Sequence, residues 1–225
     1  MKKVIIVSII VKKELRDILR DKSLLSSGLS ILFFLALLNL TIFKHLPLSI
    51  DAFVFYIAPI IGVMLGFNLS NSFVREKRER IIETLLCTPI NLPELWLGKV
   101  LGLSIPSWIL TAISTISILI LKKTVITSII IVYILTVIPL AIISFIGLLG
   151  YLQYVLGMRQ IQFLNYIVFF LIFTILFIIP KKLSTNNIIS WNIIECMLTI
   201  LLITIGLTFY LVKHLNIEKL ITTVG

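Results

Sequence analysis

Seven charges in nine residues, Arg75 to Glu83, stand between two long apolar runs. A charged side chain at the centre of a bilayer costs about 2.5–3.5 kcal/mol even on a lenient scale. The cluster is therefore expected to project into water, and its excess of Lys and Arg marks the water on the inner side. Within the polar stretch Ser72 to Val100, Ile81, Ile82, Leu85 and Leu86 share one helical stripe, while Glu76, Arg80 and Glu83 occupy other faces. Thr88-Pro89 predicts the end of that short helix. Asn91-Leu-Pro-Glu94 then predicts a new helix, with Asn91 as N-cap, Pro93 in the first turn and Glu94 at the capping-box position. A short amphipathic helix, a break and a capped return into the membrane make a docking element.

Composition fixes the class of protein. Of the 225 residues 59% are hydrophobic and only 13% are charged, against about 45–50% and about 25% in a soluble domain. The mean hydropathy is +1.15. An all-α integral membrane protein follows, with lipid as its solvent and the whole chain, residues 1–225, as one membrane domain. The net charge of +10 does not imply a nucleic-acid partner, because the basic residues sit at the ends of apolar runs, where membrane topology demands them. Cys87 in the polar stretch and Cys196 in an apolar run predict no disulfide, metal site or redox pair. The first eleven residues faintly resemble a signal peptide, but Lys12-Lys13-Glu14 follows in place of a cleavage site, so no cleavage is expected.

Taken in order, residues 1–22 read as an amphipathic helix lying in the headgroup region. Ile5, Val11, Leu15, Ile18 and Leu19 form its apolar side, and Lys12, Lys13, Arg16, Arg20 and Lys22 lie largely opposite. Residues 24–74 hold spans one (Leu24–Phe43) and two (Ala52–Val74), the second with Gly62-Val-Met-Leu-Gly66, a pattern that permits close helix approach. The polar segment occupies 75–99. Spans three and four fill 100–149, with Pro139 an expected kink. A second polar loop covers 150–162, spans five (Phe163–Pro180) and six (Trp191–Val212) lie within 163–212, and 213–225 is a tail. Six spans place fifteen of the twenty Lys and Arg residues on one side. That puts both termini and the polar segment in the cytoplasm, in a multi-pass protein of the cell membrane.

No catalytic constellation is present. His45 and His214 fall at opposite faces, and Asp51 and Glu195 are the only acids outside the cytoplasmic segments. Glu195, about one turn into the last span, is a candidate for a role in transport; its placement near the outer surface also allows it simply to reach water. Ser104, Ser107, Thr111 and Ser114 share one face of the third span. They are candidates for lining a translocation path, and equally for letting helices pack closely. Gly98-Lys99 is followed by Val100, with Pro93 where a phosphate-binding loop needs its first glycine, so the chain lacks that ATP site.

Glu83-Thr-Leu-Leu-Cys-Thr-Pro-Ile90, followed by Glu94-Leu-Trp-Leu-Gly-Lys99, resembles the membrane (permease) subunits of type-2 ATP-binding-cassette exporters. In that family a charged run after the second span leads through E-x-L-L-x-T-P-I into a Glu-Leu-hydrophobic-Gly-Lys segment. The match spans about 25 residues, and the family's usual glycine after the charged run is Ile81 or Ile82 here. The resemblance implies six transmembrane helices, an N-terminal interfacial helix and a cytoplasmic coupling helix after the second span. It also implies a separate ATPase subunit that carries ATP and Mg, with no cofactor on this chain and no enzymatic activity of its own. Two permeases, as a homodimer or with a second permease, would export an unidentified substrate. Contact with the ATPase then falls to Arg75, Glu76, Arg78, Glu79, Glu83, Leu85, Leu86, Pro89 and Glu94. The haem-exporter B subunit of cytochrome c maturation has a similar layout and is the alternative within this class. An ion-gradient-driven secondary transporter working through Glu195 is the alternative from another class.

Overall fold

A computed structural model of the chain describes residues 2–20, 50–79, 81, 90–121, 127–157, 160, 161, 163, 166, 167, 170, 174 and 190–215. Every regular element among them is helical: α1 (Lys2–Arg20), α2 (Ile50–Arg78), α3 (Leu92–Leu121), α4 (Ser128–Val132), a π-turn (Tyr133–Val137), α5 (Ile138–Val155) and α6 (Trp191–Lys213). Leu92–Ser117, Ser128–Val155 and Trp191–Lys213 are long and apolar enough to cross a membrane. The chain is thus a helical, membrane-embedded protein. The first expected span, and nearly all of the fifth, lie outside the described residues.

Helix α3 begins immediately after Asn91, whose carbonyl accepts the backbone N–H groups of Glu94 and Leu95, each at 3.0 Å. The asparagine amide also lies 3.5 Å from the Glu94 carboxylate, which holds the two capping residues together. The expected helix start and the third span are therefore one unbroken helix. At the other side of the polar segment α2 likewise runs on through Arg75 to Arg78. Helix α5 continues to Val155, into the stretch expected as a second loop.

Close helix contact is made where side chains vanish. A Cβ on Gly62 would lie 2.7 Å from Ile142 Cδ1, and one on Gly66 would lie 3.2 Å from Ile146. The two glycines of α2 thus receive two isoleucines of α5, spaced four apart on each helix. Gly98 and Gly102 of α3 do the same for α1: a Cβ on either would sit 2.7 Å from the Cβ of Ile10 or of Glu14. Consequently α1 packs along α3 through Ile10, Glu14 and Ile18, all buried. Its Ile5 and Ile9 remain exposed.

Pro139 has a larger effect than a kink. In the π-turn the Ile138 N–H reaches the Tyr133 carbonyl five residues back. The next pair in that register would be Pro139 with Ile134, and proline has no N–H to give. Trp108 Nε1 of α3 donates to the Ile134 carbonyl instead, at 3.2 Å. A backbone acceptor in the apolar interior is thereby satisfied from a neighbouring helix.

Candidate functional site

The polar end of the bundle is where α1, α2, α3 and α5 meet, and its charges divide into two groups. Arg75, Arg78 and Glu79, on and just beyond the last turn of α2, are exposed. Glu76 and Lys77, between them in sequence, are buried, and so is Lys99 of α3. This corrects the expectation that the whole cluster lies in water: helical geometry turns two of its five described charges back into the protein. For Glu76 the burial also removes an outward face with which to touch a partner.

Lys99 is the centre of the buried group. Its ammonium contacts the Glu76 carboxylate directly and lies 3.9 Å from Glu14. It also stands 4.9 Å from the centroid of the Phe73 ring, over its face. Lys13, half exposed, adds a second cation to Glu76 at 3.5 Å. Two acids and two bases thus form a neutral set that joins three helices. Neutrality matters here, since a buried charge without its partner is far more costly than a buried pair. Glu14 nevertheless pays for its position. Burial raises its carboxyl above the ordinary 4.5, and Lys99 only partly offsets this; Glu76 and Asp17 push the same way as burial, and Lys13 opposes.

Lys77 has a different role. Its ammonium donates to the backbone carbonyls of Gln153, Tyr154 and Leu156 at 3.2, 3.2 and 2.6 Å. These are carbonyls from the end of α5, which have no partner within the helix and carry its negative dipole end. A lysine from α2 therefore caps α5. Burial lowers this ammonium to about 8, so it stays largely charged at neutral pH. Next to it, Tyr154 meets Phe73 edge to face at 5.5 Å, and the Phe73 ring fills the space over Gly150.

Of the expected contact residues, Glu83, Leu85, Leu86 and Pro89 lie outside the described residues. Glu94 is 8% exposed and sits beside Asn91 in the first turn of α3. The expected path residues hydrogen-bond within their own helix. Ser107 and Thr111 are fully buried and donate to the carbonyls of Leu103 and Ser107 on their own helix. Ser104 and Ser114 do likewise with Leu101 and Thr111. Thr111 Oγ1 would be only 3.2 Å from a Cβ on Gly62, which places this stripe against α2. Glu195 lies on the exposed side of α6, away from all of these. Among the described residues no three His, Cys, Asp or Glu side chains gather where a metal ion would need them.

Glu14 and Lys99 are not among the site residues expected from the sequence. A usable signal was present: Glu14 falls four residues from both Ile10 and Ile18, on the buried stripe, and Lys99 stands within Gly98-Lys-Val-Leu-Gly102. No protein-family model matches the chain, and no curated protein matches it either.

Proposed function

We propose that the chain is the transmembrane subunit of an ATP-binding-cassette exporter, moving its substrate with ATP and Mg held by a separate subunit. In this reading it has six spans, with both termini and the segment 79–91 on the cytoplasmic face of the cell membrane. Two permeases and two ATPases form the working unit. The observation that carries the reading is the contrast at the end of α2. Arg75, Arg78 and Glu79 are exposed, whereas Glu76, Lys77 and Lys99 lock the roots of α2 and α3 to α1 and α5. A mixed-charge surface suits a specific, reversible interface. A rigidly braced root lets a push on that surface move whole helices rather than a loop. The Glu83–Ile90 and Glu94–Lys99 motifs support the same assignment.

The test is ATP turnover. The purified chain alone should neither bind nor hydrolyse ATP, and co-expression with an ATPase encoded in an adjacent reading frame should yield a complex that does. Hydrolysis by the isolated chain would contradict the assignment.

A further inference from the structure

A cavity of about 750 Å3 opens where α1, the first turn of α3 and the last turn of α6 come together. Its size lies within the range of about 300–1,000 Å3 that holds small ligands. Both α3 and α6 are candidate spans, so a cavity at the beginning of one and the end of the other lies at headgroup depth. Its walls are graded. At the start of α3 the polar Asn91 and Glu94 line the outer part beside Leu92 and Pro93, and Leu97 lies about one turn deeper. On α6, Lys213 lines the outer part beside Val212 and Leu215, and Phe209 lies about one turn deeper. Val7 of α1 adds a third apolar wall. The polar groups of both helices are thus confined to the outer end of the cavity, and its deeper walls are wholly apolar.

That gradient selects an amphiphile whose head points out of the bundle and whose tail runs along the helices. The charges select the head. Among the described residues the mouth carries one acid and one base, where a site for an anionic lipid would carry bases alone. Glu94 is only 8% exposed, and its neighbouring amide is a long 3.5 Å away. A carboxylate so placed gains from a cation. We propose that this cavity holds one zwitterionic phospholipid, its ammonium on Glu94 and its phosphate on Lys213 and the Asn91 amide. The proposal requires only that α3 and α6 cross the membrane, and it stands apart from the ATPase reading.

The experiment is native mass spectrometry of the full-length chain, with any bound subunit left on, in detergent with equimolar phosphatidylethanolamine and phosphatidylglycerol. One phosphatidylethanolamine per chain should be retained, in preference over phosphatidylglycerol. Glu94→Gln should cut that preference about tenfold, the effect of about 1.4 kcal/mol in binding. Lys213→Glu, at an exposed position, should weaken retention of both lipids, and Phe209→Ala should do so without changing the preference. Equal retention of the two lipids, or a preference untouched by Glu94→Gln, overturns the proposal. Retention that arises only after removal of residues 216–225 also overturns it, because the chain's own tail would then be the occupant. Each of these results leaves ATP turnover by the complex as a separate question.

Discussion

Lys99 and Glu76 meet as a buried ion pair between α3 and α2, with neither side chain more than 8% exposed. Removing one member of such a pair costs about 3–5 kcal/mol, because the other is left charged and desolvated. Lys99→Met should therefore lower the thermal stability of the detergent-purified protein severely, and Glu76→Gln should also lower it. The double variant should be less destabilised than the two effects added together. Simple additivity, read from the melting curves, would separate the two residues.

Glu14 predicts a pH dependence. Its carboxyl is raised above 4.5 in the folded chain, so on raising the pH the unfolded form loses its proton first. Its contribution to stability is fully present below about 4.5 and is lost as pH rises through the folded value. Lys99, Glu76, Lys13 and Asp17 face or neighbour it, and they remain in place in a Glu14→Gln variant. Melting curves of wild type and this variant should diverge as pH rises from 4.5, with the wild type falling. Parallel curves would show that Glu14 keeps an ordinary proton affinity.

Glycines of equal helical character should respond oppositely to alanine. At Gly98 the added carbon would lie 2.7 Å from Ile10 Cβ, a rigid branched centre, whereas at Gly206 nothing lies within 4 Å. Gly98→Ala should cost about 1–3 kcal/mol through overpacking and loosen α1, read as faster proteolysis near residue 20. Gly206→Ala should be neutral or stabilise α6 by about 0.5–1 kcal/mol. Equal effects at both sites would remove the argument that α1 is seated on α3.

The six-span arrangement has its own check. In a variant with Cys87 and Cys196 replaced, Thr185→Cys should react with an impermeant thiol reagent in whole cells. Glu79→Cys should react only after the membrane is opened. Labelling at 79 from outside would overturn the cytoplasmic placement of the polar segment.

Much of the helical layout was legible because it depends on local signals. Residues 1–22 were expected as one helix and Lys2–Arg20 is one; Trp191–Val212 was expected and Trp191–Lys213 is found. Asn91 and Pro93 mark a helix start in the sequence, and α3 begins there. The inward turn of Glu76 and Lys77 was not legible, since in a run of seven charges every helical face carries one, and pattern cannot distinguish the inner face. Their partners lie 23 residues away in Lys99 and 76 or more residues away in α5. The stripe Ser104–Ser114 admitted two readings because small polar side chains suit both a path and a close contact. The position of Thr111 against Gly62 is a tertiary contact that no such local pattern shows.

In the proposed function, exposed charges at the end of α2 hold an ATPase subunit while the buried ones hold the fold. The most direct measurement is ATP turnover by the purified complex of this chain with its ATPase, comparing wild type with the charge-reversed pair Arg78→Glu and Glu79→Lys. Both positions are exposed, so stability should stay within about 0.5 kcal/mol. The account predicts loss of the co-purifying ATPase, or of its stimulation by this chain, in the variant with melting unchanged. An intact complex with unchanged turnover and stimulation would contradict it.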